Sequence, residues 1–366
     1  MSIQDRLVAT GKKKMLSLDG GGIRGVITLE ILTAIEKIVQ QGNPKLVLAD
    51  YFDYIAGTST GAIIATCLSL GMTVADVKKF YVDSGPAMFD RASILDRFRY
   101  KFKDEQLSEK LRDILGADTT LGTDKLRTLL LLVLRNATTD SPWPLSNNPQ
   151  AMYKVNLNLP LWQLVRASTA APTYFPPEAV RLCDRAGKEL DFLFVDGGVT
   201  MYNNPAFQLF MMATVEPYNV RWKAGLDDML IVSVGTGFNR EANANLQPGQ
   251  MNLIYNASSI PSALMLAALN EQDFLCRTFG DCRFGHIVNR EIGDMIGKSG
   301  PASPKLFSYL RYNVELTSTS LTACNLPDIK PENVQQLDSV EHIPDLERVG
   351  QAIAAQVTPK HFDGFL

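Results

Sequence analysis

The stretch FDYIAGTSTGAIIA, residues 52–65, places Ser59 between two glycines and between two apolar runs. The residues before the serine are typical of a strand end, and the apolar run after it is typical of a buried helix. In such a strand-to-helix turn a serine hydroxyl is held out of the sheet as a nucleophile, although a simple helix-capping serine fits the same stretch. The predicted nucleophile elbow consists of Gly57, Thr58, Ser59, Thr60 and Gly61.

A second glycine turn, DGGGIRG at residues 19–25, follows another apolar strand pattern. A nucleophilic serine needs donors for the oxyanion that its attack creates, and consecutive glycines let backbone N–H groups converge on one point. The predicted oxyanion loop consists of Gly20, Gly21, Gly22, Ile23, Arg24 and Gly25. Two alternatives stay open. One is a turn without a ligand, and the other is a dinucleotide-binding G-x-G-x-x-G turn, whose acidic strand end about 20 residues later is poorly matched here.

A third glycine turn, VDGGV at residues 195–199, places Asp196 at a strand end before Gly197 and Gly198. Its carboxylate can serve as the base for Ser59, or it can simply stabilise its own turn. A Ser-Asp-His triad is also compatible with the chain order. The three histidines lie in no motif-like setting, so a direct Ser–Asp pair needs fewer assumptions; they are His286, His342 and His361.

Strand patterns interleaved with helix patterns predict an α/β fold with a mainly parallel sheet covered on both faces. Ligands of such sheets lie beyond the carboxyl ends of the strands, where all three glycine turns fall. The run LLLLVL, residues 129–134, predicts a buried strand, and residues 136–150 predict a loop. We expect one catalytic domain over residues 10–240, with a C-terminal helical region, residues 241–366, packed on it.

Composition excludes some classes of protein. The 366 residues carry a formal net charge of −3. The chain therefore lacks the excess of basic residues that is typical of nucleic-acid-binding proteins. The five cysteines are scattered without metal-site spacing, and we expect no metal or other cofactor. The N-terminus does not resemble a secretory signal, and no apolar run is long enough to span a bilayer, so we expect a cytoplasmic protein.

Several of these motifs together resemble the patatin-like phospholipase family. They are DGGGIRG, GTSTG and DGG in this order, with ASTAAPTYFPP at residues 167–177 and SVGTG at residues 233–237. The resemblance covers residues 14–237 and implies a three-layer α/β/α fold. It also implies metal-free acyl ester hydrolysis by a dyad of Ser59 and Asp196, with an oxyanion hole formed chiefly by Gly21 and Gly22.

The resemblance therefore predicts a lipid acyl hydrolase of a bacterial or cytosolic type, acting on phospholipids. The alternatives are a general carboxylesterase or acyltransferase that uses the same serine, and a nucleotide-binding regulatory module. A basic and aromatic stretch, residues 88–107, fits transient contact with a membrane surface, although a solvated helix or loop explains it as well. The sequence gives no indication of the oligomeric state.

Overall fold

The central sheet organises the chain, whose computed structural model describes residues 2–89, 100–172, 174–183, 188–239 and 253–366. The described strands are β1 Lys13–Leu18, β2 Tyr54–Thr58, β3 Leu129–Asn136, β4 Ser141–Ser146, β5 Glu178–Cys183, β6 Glu189–Asp196, β7 Met229–Val234, β8 Asp281–Phe284 and β9 Ser308–Tyr312. Their order is β5-β6-β3-β2-β1-β7-β9-β8, and β4 pairs with β3. Strands β1, β2, β3, β7, β8 and β9 run parallel, as predicted, whereas β4, β5 and β6 run antiparallel to their neighbours.

Helices cover both faces of this sheet. They are α1 Ile3–Val8, α2 Gly25–Gln40, α3 Leu48–Tyr51, α4 Thr60–Ser69, α5 Val74–Phe89, α6 Tyr100–Leu115, α7 Leu161–Ser168, α8 Ala206–Thr214, α9 Leu253–Phe279, α10 Ser318–Ala323, α11 Pro331–Gln335 and α12 Ile343–Ala354. Alternate strand residues point to opposite faces. Leu16 of β1 accordingly belongs to an apolar core that includes residues of α2, α4 and α12, while Met15 belongs to a second core that includes residues of α8 and α9. These two apolar cores confirm the three-layer α/β/α architecture.

Strand register brings β6 to the end of β2. Thr58, the last residue of β2, pairs with Val133 of β3, and the next residue of β3, Leu134, pairs with Asp196. Strand β4 occupies the opposite edge of β3 over the same span. Strands β2 and β6 therefore pair with the same edge of β3, one after the other along its length. Strand β6 ends beside the turn that follows β2.

The structure has strands in two regions where the sequence did not indicate them. The loop predicted over residues 136–150 is wrong in part, because Ser141–Ser146 forms β4. Its prolines, Pro142 and Pro144, are tolerated because β4 pairs on one side only, with β3. The C-terminal region carries the expected helices α9 and α12, but it also supplies β8 and β9 to the sheet. The domain boundary at residue 240 stays a prediction.

The predicted membrane-contact stretch, residues 88–107, lies partly outside the described residues, because residues 90–99 are not described. Its last residues belong to α6. Among the described helices, none combines the length and the apolar character that a membrane crossing requires.

Candidate active site

Ser59 occupies a strained turn between β2 and α4. Its backbone angles, φ 54° and ψ −123°, lie in a region that residues other than glycine rarely adopt. The two flanking glycines allow a very close approach of the chain: a Cβ at Gly57 would lie 2.1 Å from the carbonyl oxygen of Gly61, and a Cβ at Gly61 would lie 2.2 Å from that of Leu18. Both positions of the predicted elbow therefore require glycine.

The Ser59 hydroxyl is directed at Asp196. Ser59 Oγ donates to Asp196 Oδ2 at 2.6 Å, although the two residues are 137 positions apart. Among the described residues, the hydroxyl makes no capping bond to α4. The other carboxylate oxygen, Asp196 Oδ1, accepts from the N–H of Gly198 at 2.6 Å. The two interpretations of Asp196 are thus compatible, since one oxygen stabilises the turn and the other contacts the serine.

Burial makes Asp196 more basic than an ordinary carboxylate. Only 5% of the residue is exposed. This desolvation raises its pKa from 3.8 to about 6, against the opposing effects of the hydrogen bonds from Ser59 and Gly198 and of the positive charge of Arg166. A carboxylate with such a pKa is still ionised at neutral pH and accepts a proton more readily than an exposed one.

The predicted oxyanion loop has two backbone N–H groups to offer. Four of its six N–H groups are bonded: Gly20 to Asn203 O at 3.2 Å, Ile23 to Leu337 O at 2.9 Å, Arg24 to Gly21 O at 3.2 Å, and Gly25 to Gly22 O and Ile23 O. Within the part of the chain that the structure describes, the N–H groups of Gly21 and Gly22 have no acceptor. These two are the donors that the resemblance favours.

Hydrogen bonds to the carbonyls of Gly20 and Gly21 orient these two N–H groups. The carbonyl of Gly20 accepts from Thr236 Oγ1 at 3.0 Å, and the carbonyl of Gly21 accepts from the N–H of Arg24. In a trans peptide the carbonyl and the following N–H point in opposite directions. Fixing each carbonyl therefore fixes the direction of the N–H of Gly21 and of Gly22.

Two arginines hold the ends of the loop. Asp19, immediately before it, is fully buried and accepts from Arg311 Nη1 at 2.9 Å and Nη2 at 2.5 Å. At the other end, Arg24 Nη1 donates to the carbonyl of Gln335 at 3.1 Å. Burial lowers the pKa of Arg24 to about 10, so it keeps its charge at neutral pH. Arg24 thus attaches the loop to the C-terminal region.

Ser168 is a site residue that the sequence did not single out. The N–H of Ser59 donates to Ser168 Oγ at 2.9 Å, and Ser168 Oγ in turn donates to the carbonyl of Val133 at 2.6 Å. The N–H of Ser59 is therefore already engaged, unlike those of Gly21 and Gly22 in the described part of the chain. Ser168 lies within the stretch ASTAAPTYFPP and is the last residue of α7. A serine at the end of an apolar helix pattern, inside a stretch that resembles the family, was the signal that could have identified it.

The histidines have other surroundings. His361 Nδ1 bonds the hydroxyl of Tyr312 at 2.8 Å, and His342 lies 3.4 Å from Asp345. The His286 ring stacks on Phe238 at 5.0 Å. The direct 2.6 Å contact of Ser59 with Asp196 leaves no space for an imidazole between them. Among the described residues, no three or more histidine, cysteine, aspartate or glutamate side chains are arranged to hold a metal ion.

Comparisons with known proteins match this chain to one family and its members. The family model for patatin-like phospholipases matches residues 16–210. Patatin-like protein 1 of Arabidopsis thaliana is 30% identical over 68% of this chain and 65% of its own length. Patatin-T5 of Solanum tuberosum is 30% identical over 62% and 61%. A cGAMP-activated phospholipase of Escherichia coli strain TW11681 is 30% identical over 61% and 62%. The matches thus span less than two thirds of the length of these relatives.

Similarity to a solved structure is weaker. VipD from Legionella pneumophila aligns over 93% of this chain and 67% of its own, with 16% identity and a TM-score of 0.38.

Proposed function

Because the chain belongs to the patatin-like phospholipase family, we propose that it is a lipid acyl hydrolase with Ser59 as nucleophile and Asp196 as base. The observation that carries this proposal is the 2.6 Å hydrogen bond between Ser59 Oγ and Asp196 Oδ2. The raised pKa of Asp196 supports it, because the base must accept a proton from a serine hydroxyl.

The first half of the cycle is acyl transfer to the enzyme. Asp196 Oδ2 takes the proton of Ser59 Oγ as that oxygen attacks the ester carbonyl carbon. The carbonyl oxygen becomes an oxyanion and accepts hydrogen bonds from the N–H groups of Gly21 and Gly22. When the tetrahedral intermediate collapses, the ester bond breaks, and the leaving alcohol or lysolipid takes the proton from Asp196.

The second half of the cycle is hydrolysis of the acyl-serine ester. Asp196 takes a proton from a water molecule, whose oxygen attacks the acyl carbon, and the same two N–H groups stabilise the second oxyanion. Collapse releases the fatty acid and returns the proton from Asp196 to Ser59 Oγ. The serine, the carboxylate and the glycine loop supply every group in this cycle.

The substrate class we propose is the fatty-acyl ester of a phospholipid, which requires transient contact with a membrane surface. The family supports a lipid substrate. A carboxylesterase or acyltransferase would use the same serine and base, so the choice between them depends on the acyl donor and acceptor rather than on the dyad.

The test combines active-site labelling with product analysis. A fluorophosphonate probe should label the wild type but not Ser59→Ala, whereas Ser299→Ala, at an exposed serine, should label normally. Vesicles of phosphatidylethanolamine and phosphatidylglycerol should release fatty acid only with enzyme that carries Ser59. Turnover of p-nitrophenyl butyrate without vesicle hydrolysis would support the carboxylesterase alternative instead. Unlabelled wild type with a thermal shift by NAD or ATP would overturn the proposal in favour of a nucleotide-binding module.

A further inference from the structure

The segment Tyr202–Asn203, in the turn after Asp196, contacts two of the motif loops through consecutive carbonyls. Thr58 Oγ1, next to the nucleophile, donates to the carbonyl of Tyr202 at 2.7 Å. The N–H of Gly20, at the start of the oxyanion loop, donates to the carbonyl of Asn203 at 3.2 Å. Two adjacent peptide groups thus tie the elbow and the oxyanion loop to the chain that leaves the acid turn.

The side chain of Asn203 lies between the oxyanion loop and the acid turn. A Cβ at Gly20 would lie 2.4 Å from Asn203 Oδ1 and 3.2 Å from Ser59 Cβ. A Cβ at Gly198 would lie 2.9 Å from the same Asn203 oxygen and 2.9 Å from Asp196 Oδ1. The carboxamide therefore packs directly against the backbone of both loops, next to the nucleophile and the base.

The sheet supports this segment from below. The following residue, Asn204, is fully buried, and its Oδ1 accepts from Ser233 Oγ of β7 at 3.2 Å and from Ser17 Oγ of β1 at 3.4 Å. The same oxygen accepts the N–H of Ala206 at the start of α8 at 3.1 Å. Asn203 is itself only 9% exposed. Because Asn204 fixes the chain to the sheet, the buried side chain of the neighbouring Asn203 has a defined position relative to the loops it contacts.

We propose that Asn203 is a positioning residue, whose carboxamide sets the separation between the oxyanion N–H groups and the Ser59–Asp196 pair. The proposal rests on the proposed function, since it concerns the geometry of that reaction. A displacement of about 1 Å in a catalytic arrangement can lower the rate about 100-fold. Asn203 acts through Gly20 and Gly198, without itself contacting the reacting atoms.

The first variant removes the carboxamide. Asn203→Ala keeps the main-chain carbonyl that accepts from the N–H of Gly20, so the oxyanion loop stays attached to this segment. The variant removes only the carboxamide that packs between Gly20 and Gly198. We expect kcat to fall about 100-fold, with KM within about threefold of wild type and the thermal unfolding midpoint within a few degrees. A purely structural role would lower the unfolding midpoint and leave kcat per folded molecule unchanged.

The second variant keeps the shape and changes the charge. Asn203→Asp places a carboxylate beside Asp196, where Arg166 supplies the opposing positive charge. A like charge raises the pKa of a neighbouring carboxyl. We expect the acid limb of the kcat/KM profile to move to higher pH in Asn203→Asp, and not in Asn203→Ala. This shift is a readout that loss of packing alone does not produce.

The matched controls are Asn43→Ala and Asn43→Asp, at an exposed turn where Asn43 Oδ1 accepts from the N–H of Lys45. Both should have wild-type kcat and pH profile. Vesicle hydrolysis by the wild type separates the two proposals. If the wild type hydrolyses vesicles and Asn203→Ala keeps its kcat, only the positioning role is overturned. If the wild type is inactive and unlabelled, the proposed function and this inference fall together.

Discussion

Two aspartates of this protein share the same local sequence and have different surroundings. Asp19 directly follows β1 and Asp196 is the last residue of β6. Each aspartate precedes two glycines, and each lies at the carboxyl-end side of the parallel strands. Both are buried, with 0% and 5% of the residue exposed. Their partners differ: Asp19 accepts from both terminal nitrogens of Arg311, whereas Asp196 accepts from a serine hydroxyl and a backbone N–H.

This difference separates a structural carboxylate from a basic one. A bidentate arginine satisfies both oxygens of Asp19 and compensates its charge. Burial raises the pKa of both carboxyls, that of Asp196 to about 6 even with the charge of Arg166 nearby. The hydrogen-bond donors differ, because Asp196 accepts from a serine hydroxyl, whose proton a base can take, whereas Asp19 accepts from a guanidinium, which keeps its proton. The partner of a buried carboxylate, rather than the Asp-Gly-Gly motif around it, therefore decides whether there is a proton to accept.

The largest expected effect separates the two residues by activity. Asp196→Asn removes the proton acceptor but preserves the shape of the side chain, so we expect kcat on phospholipid vesicles to fall by about 10⁴-fold, as in other serine hydrolases that lose a catalytic acid–base partner. Circular dichroism should show an unchanged fold. An Asp196→Asn variant within tenfold of wild-type kcat would contradict the assignment of the base.

The next effect concerns the stability of the Asp19–Arg311 pair. Removing one member leaves the other charge buried without its partner, so Asp19→Asn or Arg311→Met should lower the free energy of unfolding by about 3–5 kcal/mol. The double variant should lose less than the sum of the single losses. Urea unfolding measures all three. Strictly additive losses would show that the two side chains do not interact.

The sequence predicts the positions of these groups better than their partners. The glycine turns at the ends of β1, β2 and β6 follow from local patterns, and so does a serine in a strand-to-helix turn. Arg311 and Ser168 could not be assigned in the same way, because their contacts with Asp19 and Ser59 span 292 and 109 positions. Such contacts depend on strand order and register, which the local pattern does not specify.

The region after residue 239 illustrates the same limit. The sequence indicates its helices, but it does not show that Leu337 and Gln335 contact the oxyanion loop, with their carbonyls accepting from Ile23 and Arg24. These are main-chain acceptors, and a main-chain carbonyl leaves no residue-specific signal. The sequence also did not indicate strand β9, which carries Arg311 and lies between β7 and the edge strand β8.

A smaller effect distinguishes the two aspartates by the sign of a stability change. The folded-state pKa of Asp196, about 6, is above its ordinary value of 3.8, so the folded protein binds this proton more tightly than the unfolded chain does. The ionised carboxylate therefore destabilises the fold above pH 6, by up to about 3 kcal/mol, and this penalty disappears as the pH falls below 4. Asp196→Asn should accordingly be more stable than wild type in urea at pH 8 and equal to it at pH 4. Asp19→Asn should instead be less stable at pH 8, because it leaves the charge of Arg311 buried without its partner. If Asp196→Asn were less stable than wild type at pH 8, the ionised carboxylate would not destabilise the folded protein, which would contradict this prediction.

The smallest effect is the pH dependence of the wild-type rate. Because Asp196 must be ionised to accept the proton of Ser59, kcat/KM should fall about tenfold for each pH unit below about 6 and level off above it. Burial of the carboxyl sets the position of this limb, against the opposing effects of the hydrogen bonds from Ser59 and Gly198 and of the charge of Arg166. An exposed aspartate would place the limb near pH 4. A limb near pH 4 in the wild type would mean that solvent reaches Asp196 during turnover, so that burial would not set the basicity of this carboxylate.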